Sequence, residues 1–479
     1  MKANRRTKQP PRSDTSEPTK ATLLRAVAPW GQEHLLQFWD ELDSASRATL
    51  AADIGSVDFE LLSRLIRKPE AARDRATAAL SAQGPPALRL SDAANRAADA
   101  VRCGAAALAA GEVGVVLVAG GQGTRLGFEA PKGTYAIGPV SRASLFQILL
   151  EKVAARARRH GAPIPLYVMT SPATHAPTAE FLGQHAWFGM DEADVKLFCQ
   201  GTMPAADATT GRVLLAEKGR LQLSPDGHGG LLAALVASGS LDDMRRRGVR
   251  HLFYMQVDNP LVQAADAEFI GHHLLAGSEL STQVVAKRTP TDRVGNVVSI
   301  DGRVEMIEYS DLPDEVAHRR QPDGSLSLWA GNIAVHVFDV AFLVRMARQA
   351  DSLPFHVARK TVPYVDASGT LVDPTAPNAI KFERFIFDLL PAAKCPLVVE
   401  VDEGACFAPL KNAEGQQRDS PWDVRSRLMA LHRRWLREVG ATVPDDVLVE
   451  ISPLFALDAE ELATKVPPRT SVTAPCYLR

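Results

Sequence analysis

The chain has 479 residues, of which 46% are hydrophobic and 23% charged, with a formal net charge of −2. That length predicts two or three domains, and the near-neutral balance excludes a globally basic nucleic-acid binder, so cations that hold phosphate must be concentrated locally. No apolar run approaches the roughly 18–20 residues that span a bilayer. The five cysteines are scattered with no CxxC pair, which argues for reduced thiols in a cytoplasmic protein and against a zinc site.

Residues 1–20 are basic, Pro-rich and almost free of large apolar groups, and are expected to form a disordered tail rather than a signal peptide. From 21 to 108 the pattern is helical, with apolar stripes at Leu35, Leu36, Phe38, Trp39 and Leu42, and again at Phe59, Leu61, Leu62, Leu65 and Ile66. Gln83-Gly84-Pro85-Pro86 then punctuates before a helix expected over Ser91–Ala110, with Ser91 or Asp92 as its cap.

The stretch Val113–Gly133 reads VGVVLVAGGQGTRLGFEAPKG. A β-branched run that stops at Gly120, Gly121 and Gly123 is a buried strand entering a loop that approaches its ligand closely. Thr124 and Arg125 follow in the same loop, and Lys132 adds a flexible cation, so the loop suits a polyphosphate. Leu126 stands where a Rossmann loop needs its third glycine, and Lys132 follows Pro131 rather than glycine. A dehydrogenase and a P-loop NTPase are therefore both excluded.

Beyond the loop the pattern alternates. A helix after Ser144, a strand at Pro165–Thr170, a helix around Ala176–His185, a strand at Val195–Gln200, a helix from near Gly229 and a strand at His251–Val257 predict a parallel α/β sheet. Ligands then bind at the carboxyl ends of the strands, where the polar motifs fall. Gln200 offers a donor and an acceptor together, matching a uracil edge, or else simply makes a polar turn. Gly227 and His228 open the next helix. Asp258 follows a buried strand, where a carboxylate can hold Mg²⁺, with Mn²⁺ as a substitute, or can cap a helix. Val284–Lys287 reads as a strand, and Asn296–Ile300 with Arg303–Glu308 reads as a hairpin turning at Asp301-Gly302.

The string Gly120-Gly121-Gln122-Gly123-Thr124-Arg125-Leu126-Gly127, followed by Pro131-Lys132-Gly133, resembles the signature of nucleotidyltransferases that make nucleotide sugars. The Gln after the double glycine is similar to that of eukaryotic-type UDP-N-acetylhexosamine pyrophosphorylases. LLQFWDEL near the start and the motifs up to Ser452 keep the same family order. The resemblance implies an α/β nucleotidyltransferase fold of the GT-A-like, Rossmann-like kind, with a mixed, mostly parallel sheet flanked by helices. It further implies a helical region over 21–108, a catalytic domain over 109–400 and a small C-terminal domain over 401–479.

For function, the resemblance implies transfer of a uridylyl group from UTP to N-acetylglucosamine or N-acetylgalactosamine 1-phosphate. Arg125, Lys132 and Lys411 would be the catalytic cations and Asp258 the metal ligand. Gly120, Gly121, Gly123, Thr124, Gln200, Gly227 and His228 would hold the nucleotide. Gly295, Glu308, Asn332, Lys381, Phe385 and Phe387 would form the sugar side, although on a helix Lys381 and Phe385 would share a face that is ordinarily core. His228 stands where the acetylhexosamine enzymes have Asn and the UDP-glucose enzymes have His. A UDP-glucose, UDP-galactose or broad UDP-sugar enzyme is the second expectation, and a catalytically silent nucleotide-sugar-binding regulator is the third. No nucleic acid or membrane partner is expected.

Overall fold

A computed structural model describes residues 19–67, 77, 79–92, 98–349 and 353–479. The expected tail thus lies almost wholly outside the described residues, as do residues 93–97 of the helix expected from Ser91. The described part of that helix is Ala98–Ala109. Asp92 accepts the N–H of Arg89 at 2.8 Å.

The chain forms two units. The smaller one gathers 1–69, 202–224 and 357–382. Its helices are Lys20–Val27, Ser44–Gly55 and Phe59–Arg67. Leu35, Phe38 and Trp39 are buried there as core. The stripe around them is not one helix but two 3₁₀ turns, Glu33–Leu36 and Trp39–Glu41. The reason is local: Asp43 accepts the Ser46 N–H at 2.7 Å and starts a new helix, so the residues before it have room only for short turns.

The larger unit gathers 70–201, 225–356 and 383–479 around a nine-stranded sheet. Its strands are β1 Val113–Val118, β2 Leu166–Thr170, β3 Val195–Cys199, β4 His251–Gln256, β5 Leu280–Ala286, β6 Asn296–Ile300, β7 Arg303–Ile307, β8 Ala330–Asp339 and β9 Leu397–Glu400. The order is β7-β6-β8-β4-β1-β2-β3, with β5 pairing both β8 and β9. β4, β1, β2 and β3 are mutually parallel, as the alternating pattern predicts. Register decides what this achieves. Val118 lies opposite Gln256 and Met169, and Thr170 lies opposite Cys199, so Gly120, Ser171, Gln200 and Asp258 all leave the sheet at one edge.

β8 runs antiparallel to β4 and β5, which makes the sheet mixed. Its pairing with β5 shifts register between Thr282 and Val284, and Ala334 takes the left-handed conformation at φ 56°. Such a bulge re-aims side chains, and Asn332 sits directly before it. β6 and β7 form the expected hairpin, turned by Asp301 and Gly302, both at positive φ.

Apolar side chains cover both faces of the sheet. Leu145, Leu149 and Val153 pack from one helix, and Leu231, Leu235 and Met244 pack on the opposite cluster. Ser144 caps the helix Leu145–His160 by accepting the Gln147 N–H. A long helix, Pro421–Glu438, starts behind the Ser420 cap. All five cysteines are free thiols. No helix of the described residues is long and apolar enough to cross a membrane.

Helix Ala98–Ala109 meets helix Ala267–Leu275 through glycine. A Cβ on Gly104 would lie 1.9 Å from the Ala267 carbonyl oxygen, and one on Gly271 only 1.7 Å from that of Ala100. Backbone is what it would strike, so Gly271→Ala should cost about 1–3 kcal/mol or more by overpacking. A fall of several degrees in Tm checks this, and Gly183→Ala, whose Cβ meets nothing within 4 Å, is the matched control.

Candidate active site

The glycine loop after β1 is a closed structure. Gly123 N–H donates to the Ala130 carbonyl at 3.0 Å and Lys132 N–H to that of Gly121 at 3.1 Å, so the loop's two arms are laced together. Thr124–Leu126 is a 3₁₀ turn ended by Gly127 at φ 67°. Thr124 and Arg125 are exposed in that turn. Gly120 and Gln200 come together: a Cβ on Gly120 would lie 2.7 Å from Gln200 Oε1. Gln200 is buried, and its N–H donates to the Thr170 carbonyl at 2.8 Å, fixing its place at the strand edge.

Lys132, Asp258 and the segment before Lys411 form one cluster. Lys132 Nζ donates to the Leu410 carbonyl at 3.3 Å and lies 3.8 Å from Asp258 Oδ2. The Leu410 N–H donates to the Asp258 carbonyl at 2.8 Å. Asn259, which the sequence reading passes over, fastens this crossing. Its Nδ2 donates to the Cys406 carbonyl at 2.8 Å and its Oδ1 accepts the Ala408 N–H at 3.0 Å. Lys411 and Asn412 in turn donate their N–H groups to the Asp419 carbonyl. Asp419 holds φ 56°, a conformation that non-glycine residues adopt at a cost and that concentrates at functional sites. Burial raises its carboxyl pKa, and the ammonium of Lys411 opposes that rise.

A second cluster joins the 226–230 turn to 384–387. The stretch expected to put Lys381 and Phe385 on one helical face is instead a strand, Ala379–Arg384, followed by a 3₁₀ segment, Ile386–Ala392. The Arg384 N–H donates to the Asp226 carbonyl at 2.8 Å, and its guanidinium reaches Asp226 Oδ2 at 2.5 Å. A Cβ on Gly227 would stand 2.5 Å from the Arg384 carbonyl oxygen, which is why only glycine fits. His228 accepts the Ile386 N–H on Nδ1 at 3.3 Å and stacks on Phe385 with ring centroids 5.2 Å apart. Phe387 lies 5.3 Å from the same ring and 5.1 Å from Phe385. Burial, reinforced by His356, pushes the His228 pKa down to about 4, so the ring is neutral near pH 7. His356 itself pairs with Asp388 at 2.6 Å.

Gly295, Glu308 and Asn332 make a third cluster. A Cβ on Gly295 would lie 3.2 Å from Glu308 Oε1, and the Gly295 carbonyl accepts the Asn332 N–H at 2.8 Å. Asn332 Oδ1 accepts the Ala334 N–H across the bulge. Burial, with Asp311 adding to it, raises the Glu308 pKa to about 7, while Lys411 pulls the other way. Lys411 and Glu308 are therefore within electrostatic reach of each other. Lys381 belongs to the smaller unit. Among the described residues no group of three or more His, Cys, Asp or Glu is placed to hold a metal.

A family model described as UTP–glucose-1-phosphate uridylyltransferase matches residues 94–472. The chain belongs to that family. It is 39% identical to the human UDP-N-acetylhexosamine pyrophosphorylase-like protein 1 over 488 residues, covering 94% of each chain. It is 40% identical to the UDP-N-acetylglucosamine pyrophosphorylase of Saccharomyces cerevisiae over 371 residues, covering 76% of this chain and 77% of that one. The crystal structure of the uridine diphosphate N-acetylglucosamine pyrophosphorylase from Trypanosoma brucei superposes with a TM-score of 0.81 at 25% identity, over 97% and 99% of the two chains. The mixed α/β architecture of this uridylyltransferase-family chain, with its parallel β4-β1-β2-β3 core, is thus that of the UDP-sugar pyrophosphorylases.

Asp226 and Arg384 also escape the sequence reading, because a contact 158 positions apart leaves no local spacing to find. Asp226 is almost fully buried. Removing it strands a guanidinium, so Asp226→Ala should lose roughly 3–5 kcal/mol of stability. The double variant Asp226→Leu with Arg384→Met should recover much of that loss, and a denaturation double-mutant cycle reads the difference.

Proposed function

We propose that this protein transfers the uridylyl group of UTP to N-acetylglucosamine 1-phosphate, releasing pyrophosphate and UDP-N-acetylglucosamine. The observation that carries the reading is the cluster in which Lys132 Nζ lies 3.8 Å from Asp258 and bonds the carbonyl preceding Lys411. The relatives from Saccharomyces cerevisiae and Trypanosoma brucei, both named for this sugar, support the choice of acceptor.

The chemistry is an in-line displacement. An oxygen of the sugar phosphate attacks the α-phosphorus of UTP, and the bond to the β-phosphate oxygen breaks. That attacking oxygen is already anionic at neutral pH, so no general base is required. What the site must supply is placement and neutralisation of the charge that grows on the transferring and leaving groups. Lys132 and Lys411 flank the transferred phosphate, while Arg125 and the N–H group of Gly121 face the pyrophosphate. Gln200, beside Gly120, reads the uracil edge. The turn at Gly227 takes the nucleoside and Thr124 its phosphates.

Glu308 and Asn332 hold the sugar hydroxyls and the N-acetyl amide. Phe385 and Phe387, braced by His228, form the apolar wall. Asp258 is the residue that would hold Mg²⁺. A single strand-end carboxylate suits that ion, which keeps most of its shell for substrate oxygens and water. When bound it neutralises phosphate charge.

A second reading takes glucose 1-phosphate as acceptor, because His228 gives the chain the Gly-His-Gly string of the UDP-glucose enzymes. Following pyrophosphate release with each sugar 1-phosphate in turn separates the two. Preference for N-acetylglucosamine 1-phosphate over glucose 1-phosphate is expected, and the reverse order replaces the first reading by the second. Lys132→Ala and Lys411→Ala should each lower turnover on the order of a hundredfold or more while UDP-sugar still binds. Near-normal turnover in both would remove the mechanism.

Glu308 accepts hydrogen bonds on both oxygens only as a carboxylate, and its raised pKa puts that form at risk near neutrality. The kcat/KM for the sugar phosphate, divided by that of Glu308→Gln, should rise with pH through about 7. The ratio cancels the substrate's own titration.

A further inference from the structure

A cavity of about 620 Å³ opens beside Lys411, walled by the 285–294 segment on one side and the 407–419 segment with Arg427 on the other. Six cationic side chains line it: Lys287, Arg288, Arg293, Lys411, Arg418 and Arg427. They face three carboxylates, Asp292, Glu403 and Asp419.

The pairing is uneven. Arg288 and Arg427 share Glu403, at 2.7 and 2.9 Å. Asp423, outside the cavity, also bonds Arg427. Arg418 reaches Asp292 at 3.3 Å. Lys287 is buried and donates to the neutral Oδ1 of Asn296 at 2.6 Å. Arg293 stands exposed on the wall. The space is therefore an electropositive recess rather than a self-neutralised ion-pair network.

Its position selects among anions. None of Gly120, Gly121, Gln200, Lys132 or Asp258 lines it, so it does not serve the nucleotide side. The wall ending at Val294 runs straight into Gly295, which with Glu308 and Asn332 forms the third cluster of the site, and the opposite wall carries Lys411. The recess thus joins the group proposed to take the sugar to the cation proposed to take its phosphate. A second cavity, about 180 Å³, is lined by Glu305, Glu308, Asp311 and Asp388 with His356, and its carboxylates would repel a phosphate.

We infer that this recess is the capture site for the acceptor, a sugar phosphomonoester dianion, which it draws toward Lys411 by its local positive field. The inference rests on the proposed uridylyl transfer and adds the route and the residues by which the second substrate is gathered. Clefts of one charge sign raise the association rate of oppositely charged ligands by roughly ten- to a thousandfold, and salt suppresses the effect.

Arg293 tests this, since it is exposed and lies outside the proposed catalytic and sugar contacts. Steady-state kinetics on the full-length protein with UTP and N-acetylglucosamine 1-phosphate would compare wild type, Arg293→Glu and Arg293→Lys. Arg293→Glu should raise the KM for the sugar phosphate about three- to tenfold at low salt, with kcat and the KM for UTP nearly unchanged. Arg293→Lys should stay close to wild type, and the gap should close at about 0.5 M salt. Arg418→Glu should behave like Arg293→Glu, whereas Arg245→Glu, an equal change of net charge away from the recess, should not. An unchanged KM in Arg293→Glu, an equal rise in both KM values, or an effect insensitive to salt overturns the capture site while leaving uridylyl transfer intact. Wild-type protein that forms no UDP-sugar overturns instead the reading on which it rests.

Discussion

Asn259 uses both ends of its amide on a chain segment nearly 150 positions further on, donating to the Cys406 carbonyl and accepting the Ala408 N–H. Next to it the Asp258 carbonyl accepts the Leu410 N–H. A buried strand end and a late loop are thereby joined by three hydrogen bonds, each costly to leave unmade once the groups are withdrawn from water. Everything cationic about the centre depends on this seam. Without it, the Leu410 carbonyl would not be there for Lys132, and Lys411 would not be carried to the edge of the sheet where the glycine loop begins.

Glycine plays the complementary part by letting backbones approach. Gly227 and Gly229 lie against Arg384 and Phe385 so closely that a Cβ on either would sit about 2.5 Å from main-chain atoms. The Asp226–Arg384 ion pair then holds the two segments in that embrace, and His228 closes it through Ile386. One rigid body results, in which the turn proposed for the nucleoside and the aromatics proposed for the sugar cannot shift independently. The placement of His228 fits this role: a neutral ring with Nδ1 committed to a backbone N–H is a brace before it is a ligand contact.

Much of this was legible in residue order. The β-branched run ending in glycines located the central strand and its loop, and the alternation after it located the parallel half of the sheet. The sequence also located the carboxyl edge, because motifs that end strands of one parallel sheet must emerge together. The 381–388 stretch was not legible. Phe382, Ile386 and Phe387 are buried, and their spacing suits a helix as well as a strand followed by a tight turn. Pairing to a distant strand settled the matter, with Ala379 opposite Asp207, and no local signal marks the point after Phe382 where the chain leaves one unit for the other. Asn259, Asp226 and Asp419 were hidden for the same reason. Each is an ordinary polar residue until its partner, remote in sequence or fixed by an unusual backbone angle, is seen.

Electrostatic economy explains why the chain as a whole stays near neutrality while its centre does not. Phosphate chemistry needs uncompensated positive charge where bonds change, yet like charges gathered in a partly desolvated site repel one another. The fold answers by grading the compensation with distance. Lys132 stands at 3.8 Å from Asp258, too long for a hydrogen bond, and so keeps most of its field for a ligand. Elsewhere the guanidiniums are closed off: Arg427 is held by Glu403 and Asp423, Arg159 by Asp458 and Glu461, and Arg247 by Asp194 and Asp243. A field that is weakly compensated at the centre and closed at the periphery points inward, and that gradient lets a chain of net charge −2 attract two polyanionic substrates to one place.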